Sequence, residues 1–271
     1  MVTAVEERVE TSTAIDLTRN KCTSPEDATQ EDFVFDRRRY VAWIGGRGCS
    51  KSASTVFKVM DYAANWEGAC FVLIAPTFSQ IKGGLMRTFF KHFPAEWVLK
   101  KHMSQDEMWV EALPVFPADY RIPRLAGHQH TVPCRIYFRN AANPDSLRSY
   151  ECAVISLDEA RDIREDVMSV AQACQRQIRP PETIYPDDPI QSPFYPYQTF
   201  VTTTPAGTDW VNRRIILGDP KRVGVYRARS YDNKFLSQSF LNDLDEDYGV
   251  GSIWHRQEVL GEIVEFQGRV F

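Results

Sequence analysis

Gly45-Gly46-Arg47-Gly48-Cys49-Ser50-Lys51-Ser52 decides how the rest of the chain is read. Before it, Tyr40 to Ile44 is an apolar run of strand length; after it, Lys51 to Asn65 carries apolar residues at helical spacing. A glycine-rich loop between a buried strand and a helix N-terminus lets consecutive backbone N–H groups wrap phosphate. In that setting Gly45, Gly46, Arg47, Gly48, Cys49, Ser50, Lys51 and Ser52 form a nucleotide-binding loop. Lys51 reaches the β- and γ-phosphates, and the Ser52 hydroxyl ligates Mg²⁺. The strict G-x-x-x-x-G-K-[ST] pattern is not met, because Ser50 stands where the second glycine belongs. A glycine-rich turn without a ligand is the plain alternative.

Outward from the loop, strands alternate with helices. Cys70 to Ala75, Cys134 to Phe138, Cys152 to Leu157, Gln198 to Thr203 and Val223 to Arg229 read as strands. A helix with apolar positions Ile163, Val167, Val170, Ala171, Cys174 and Ile178 follows the strand Cys152 to Leu157, with Asp162 and Glu165 placed as a capping box. Another helix is expected from Thr208 to Leu217, and the six prolines between Pro180 and Pro196 predict an extended surface loop. The alternation predicts an α/β fold with a mainly parallel central sheet flanked by helices. Residues 1–32, polar and without period, read as a mobile arm. Residues 33–220 read as the core, and residues 221–271 as a small C-terminal helical lid built around Tyr248-Gly249-Val250-Gly251.

The 271 residues are 43% hydrophobic and 25% charged, which excludes a disordered or fibrous chain. The longest apolar stretch, Ala69 to Ala75, is far short of the roughly 18 residues of a membrane span, so a soluble intracellular protein is expected. A net charge of −4 means that any nucleic acid must be met by a local basic surface. The six cysteines have no C-x-x-C spacing and read as reduced thiols.

Two further segments carry chemistry. Cys152 to Leu157 is an apolar strand ending in Asp158-Glu159: the first carboxylate can hold the Mg²⁺ water shell, and the second can orient and deprotonate an attacking water. Thr202-Thr203-Thr204-Pro205 ends another strand at the same sheet edge, where the hydroxyls could sense a γ-phosphate. Cys49, at a helix N-terminus between Arg47 and Lys51, is expected to be a reactive thiol.

Taken in order, several motifs resemble the ATPase domain of the large terminase subunit of tailed double-stranded DNA phages. They are the Gly45–Ser52 loop, Ile74-Ala75-Pro76-Thr77 with Gln80, Asn143-Pro144-Asp145-Ser146-Leu147-Arg148, Leu157-Asp158-Glu159-Ala160, Thr202 to Gly207, and Gln257 to Glu262. The resemblance covers about residue 33 to the end. It implies a P-loop NTPase of the ASCE, RecA-like type that hydrolyses Mg-ATP and assembles as a ring on the capsid portal in the host cytoplasm. Its implied partners are double-stranded DNA, the portal protein and the small terminase subunit, with no membrane. It also implies roles for Glu159 as general base, Lys51 as catalytic cation, Asp158 and Ser52 as metal ligands, and Thr202, Thr203 and Thr204 as the coupling segment. Arg148 matches an arginine that reaches a neighbouring subunit's ATP, and Arg47 contacts phosphate from within the loop. The nuclease domain of such proteins would begin near Phe271, so no nuclease activity is expected of this chain. A non-hydrolysing nucleotide switch or assembly module, and a helicase-like ATPase, are the alternatives.

Three patterns are set aside. Asp243-x-Asp245-x-Asp247 has Tyr248 and Trp254 where a calcium loop needs glycine and glutamate. His128 and His130 lack a third ligand for zinc, and Arg37-Arg38-Arg39 reads as a charged strand entrance.

Overall fold

Strand β1 (Tyr40–Gly45) leads through the glycine-rich loop into helix α2 (Lys51–Asn65), the two elements expected from the apolar run and the helical spacing. The computed structural model describes residues 28–104, 107–116, 118, 126–177, 197–207 and 209–264. Strands β2 (Cys70–Ala75), β5 (Cys134–Asn140), β6 (Val154–Asp158), β7 (Gln198–Thr203) and β8 (Val223–Ala228) join β1 in one sheet, paired in parallel in the order β5-β2-β6-β7-β1-β8. An antiparallel hairpin, β3 (Val98–Met103) and β4 (Met108–Ala112), extends the sheet beyond β5.

Alternation along β1 splits the core into two layers. Val41 and Trp43 face Phe33, Val56, Phe71 and Phe89, while Ala42 and Ile44 face Val72, Leu157, Val167 and Val211. On the first face lie α1 (Gln30–Phe35), α2 and the helical stretch α3 (Phe78–Gln80) and α4 (Met86–His92), joined by a π-wound segment Ile81–Leu85. On the second lie α5 (Glu165–Ala173) and a short helix wound as π over Asn212–Ile216. Two more helices, α6 (Gln238–Tyr248) and α7 (Ile253–Glu258), flank the Gly249 to Gly251 turn as expected.

Several expectations need correction. The end of the supposed arm is ordered: α1 begins at Gln30, whose buried amide donates to Ser54 Oγ at 2.7 Å. Asp162 caps nothing. It belongs to a 3-10 turn, Ala160–Asp162, and α5 starts after Arg164, because the chain first closes that tight turn beyond Glu159. The helix expected from Thr208 is shorter, with helical backbone from Trp210 and the π winding behind it. The sheet runs past residue 220, since β8 pairs with β1 from Tyr40↔Val223 to Gly45↔Ala228. Ile178, Thr208, the proline-rich stretch and residues 1–27 lie outside the described residues.

The structure places two of the set-aside patterns. Asp243, Asp245 and Asp247 lie on α6. Arg37 pairs with Asp61, Arg38 with Asp36, and Arg39 donates to Thr199 and Gln175. Among the described residues no helix is long and apolar enough to cross a membrane.

Candidate active site

The strand order puts β7 between β1, which delivers the glycine-rich loop, and β6, which delivers Asp158 and Glu159. All three strands run parallel, so their carboxyl ends meet at one edge, where open α/β sheets bind ligands. Ser52 Oγ, on the first turn of α2, donates to Asp158 Oδ2 at 3.1 Å, and Thr202 Oγ1 donates to Asp158 Oδ1 at 2.5 Å. Lys51 Nζ donates to Gly45 O at 3.3 Å, Gly46 O at 3.0 Å and Thr204 Oγ1 at 3.0 Å, and lies 3.9 Å from Glu159 Oε1. Lys51, Ser52, Asp158, Glu159, Thr202 and Thr204 therefore form one cluster.

Electrostatics within it are unbalanced. Asp158 is only 5% exposed, and burial, reinforced by the adjacent Glu159 charge, pushes its carboxyl up to about 6 despite the hydroxyls of Thr202 and Ser52 and the nearby Lys51 ammonium. A buried carboxylate held by two hydroxyls and short of positive charge fits a hard divalent cation. Asp158 and Ser52 would hold Mg²⁺, with water and phosphate oxygens completing the shell. Among the described residues no group of three or more His, Cys, Asp or Glu is placed to hold a metal ion.

Ser50, in the position of the absent glycine, has φ 70° and ψ 22°. It thus supplies the left-handed turn itself, at a cost of about 1–2 kcal/mol relative to glycine. Glu159 is the other non-glycine residue described with positive φ, at φ 50° and ψ 51°. Strain of this kind collects where a side chain must be aimed.

The remaining site residues are held differently. Arg47 Nε meets Glu258 Oε2 at 3.1 Å, while Arg161 Nη1 meets Glu258 Oε1 at 2.8 Å, so one buried carboxylate at the end of α7 joins the loop to the turn after Asp158. Burial alone would raise the Glu258 carboxyl, but Arg161, Gln257 and Arg47 together keep it below the usual range. The amides of Gly46 and Arg47 donate to Ala228 O at 3.1 Å and Glu258 O at 2.6 Å, so these two are committed away from phosphate. A Cβ at Gly46 would come within 2.2 Å of Val259 O, which shows how closely the C-terminal segment lies on the loop. Glu258 falls in a motif quoted for the resemblance, yet nothing in its spacing pointed to Arg47 or Arg161. Those contacts span the chain and leave no local pattern.

Two expected residues stand apart. Arg148, on the 3-10 turn Pro144–Ser149, has its side chain 65% exposed and pairs with Asp145 at 2.8 Å. Cys49 is not the reactive thiol expected from its charged neighbours: it is buried, its Sγ sits beneath Gly45, and desolvation pushes its pKa up against the pull of Lys51. Cys134, Cys152 and Cys174 are buried, and all described cysteines are free.

No protein-family model and no curated protein matches this sequence. Solved structures do. The large terminase of the thermophilic bacteriophage D6E superposes with a TM-score of 0.66 at 12% identity, over 87% of this chain and 53% of that one. The fold is that of the phage large-terminase ATPase domain. The ATPase domain of the Thermus phage P74-26 large terminase matches with a TM-score of 0.55 at 18% identity, over 87% of this chain and 92% of that domain. A second structure of the D6E terminase, at TM-score 0.62 and 14% identity, covers 87% of this chain and 52% of that one and holds ADP. This chain thus spans about half the length of the D6E terminase.

Proposed function

We propose that this chain is the Mg²⁺-dependent ATPase motor domain of a phage large terminase, coupling ATP hydrolysis to translocation of double-stranded DNA into the prohead. The observation that carries the reading is the Ser52–Asp158 hydrogen bond of 3.1 Å beside Lys51 and Glu159, which joins the two halves of a phosphoryl-transfer site from distant parts of the chain. Lys51 carries the charge that meets the β- and γ-phosphates, Asp158 and Ser52 hold the metal, and Glu159 accepts the proton of the attacking water. The fold and the ADP bound by the D6E terminase support a nucleotide here. Ring assembly, the portal protein, the small terminase subunit and the host cytoplasm belong to the same proposal.

The non-hydrolysing alternative rested on Ser50 disabling the loop. Its positive φ keeps the turn that glycine would make, which favours the hydrolytic reading. Steady-state turnover of Mg-ATP, with Lys51→Ala as control, tests the proposal. Turnover that Lys51→Ala abolishes is the expected result; nucleotide binding without turnover would leave the switch.

A further inference from the structure

Two threonines end β7 and a third, Thr204, follows it, and the structure divides them. Thr202 and Thr204 share one face and touch Asp158 and Lys51. Thr203, on the other face and 1% exposed, bonds elsewhere. Its hydroxyl accepts the backbone N–H of Arg161 at 3.0 Å and donates to Thr204 O at 3.0 Å. Both bonds are internal, so this hydroxyl is already engaged within the protein rather than turned towards a phosphate.

Arg161 lies two residues beyond Glu159, in the 3-10 turn that Glu159 opens with its left-handed backbone. That turn is closed by Asp162 N to Glu159 O at 3.0 Å and Ile163 N to Ala160 O at 3.1 Å. At its far end the buried Trp210 donates its indole N–H to Ile163 O at 2.6 Å. The turn is therefore held at its middle by Thr203 and at its end by Trp210. A β-region backbone at residue 159 would release the strain and swing the carboxylate away from Lys51, so something outside the turn has to oppose that relaxation.

We infer that Thr203 is a positioning residue: its hydroxyl pins the Arg161 amide and so keeps Glu159 in the strained conformation that aims its carboxylate at the reacting water, with Trp210 as the second anchor. The inference rests on the proposed hydrolytic role of Glu159. It separates Thr203 from the phosphate sensing expected of all three threonines. It also makes β7 the element that sets the metal ligand, the lysine and the base relative to one another.

Thr203→Val keeps the shape and removes the hydroxyl; Thr203→Ser keeps the hydroxyl. Misplacing a general base by a fraction of an ångström to one ångström costs about tenfold to a hundredfold in rate. Thr203→Val is thus expected to lower kcat by that factor while the affinity for a fluorescent ATP analogue stays within about twofold, and Thr203→Ser is expected to recover most of the rate. Hydrogen exchange of the Arg161 amide is read in parallel and needs no turnover; it should accelerate in Thr203→Val and not in Thr203→Ser. Should Thr203→Val fail to fold, Trp210→Phe, which removes the bond to Ile163 O together with part of a buried ring, is expected to give the same split between kcat and binding.

Wild-type turnover that persists undiminished in Thr203→Val, with an unchanged Arg161 amide, overturns the positioning role and leaves the ATPase reading standing. Loss of analogue binding in step with kcat in both Thr203→Val and Trp210→Phe overturns it too, since that is the mark of general damage. A wild-type chain that binds ATP but never hydrolyses it removes the ATPase reading, and this inference with it.

Discussion

At the scale of single residues, Asp158 and Glu159 are neighbours with opposite settings: one buried and bonded to two hydroxyls, the other strained and partly exposed. Glu159→Gln is expected to retain ATP binding, because Lys51, Ser52 and Asp158 are untouched, and to lose about 10²–10⁴-fold in kcat, the usual worth of a general base. Near-normal turnover in that variant would remove Glu159 from the role. For Asp158 the sign follows from a folded carboxyl pushed up to about 6. The folded chain holds the proton more tightly than the unfolded one, so the associated stability is complete below the ordinary carboxyl range and is lost as pH rises through about 6. Asp158→Asn should therefore match the wild type at pH about 4 and exceed it at pH about 8 by on the order of 2 kcal/mol, roughly 4–8 °C in melting temperature. Adding Mg²⁺ at the higher pH should raise the wild-type melting temperature and leave the variant where it was. A variant less stable than wild type at pH about 8 contradicts the strain assigned to this carboxylate.

At the scale of elements, the most demanding contact belongs to Lys58 of α2. Fully buried, its ammonium donates to Phe33 O at 2.7 Å, Val34 O at 2.9 Å and Asp36 O at 2.8 Å, and so closes the C-terminal end of α1. Lys58→Met should strand those carbonyls and cost about 3 kcal/mol or more, since each unpaired buried polar group costs about 1–3 kcal/mol. A melting temperature within about 2 °C of wild type would show that α1 needs no such closure. The sequence offered no hint of this role, because a lone lysine at an interior helix position looks the same whether it faces solvent or three carbonyls. Where burial is continuous, the pattern was plain: β2 and α2 occupy the expected residues because an unbroken apolar run or a regular helical stripe is easily read, while β7 was legible from its β-branched and aromatic residues, Thr199, Phe200, Val201, Thr202 and Thr203. The hairpin β3–β4 was missed because β3 is an outer strand whose Leu99, Lys100, Lys101 and His102 are exposed, and it carries no apolar alternation. The π-wound Ile81–Leu85 contains Gly83 and Gly84, which break any helical stripe. In the site, the loop and the Asp158-Glu159 pair were legible because each is local, whereas the Glu258 bridge and the Thr203–Arg161 bond are set only by the fold.

At the scale of the whole molecule, the exposed Arg148 is the residue proposed to act on the ATP of a second copy of the chain. Phosphoryl transfer commonly gains its last positive charge from an arginine brought by a partner, and among the described residues Arg148 forms its ion pair with the surface Asp145. Turnover per subunit should rise with protein concentration, and Arg148→Ala should flatten that rise without changing nucleotide affinity in dilute protein. A concentration-independent rate that is also indifferent to Arg148→Ala excludes the trans role. Strand β8 carries a different consequence, for anyone who shortens this chain. A fragment ending at residue 220 would strip β1 of one of its two neighbours and leave the strand that bears the glycine-rich loop with an open row of unpaired amides and carbonyls. Such a fragment should self-associate through that row before it ever met a nucleotide, so inactivity in it would report aggregation rather than the loss of a lid.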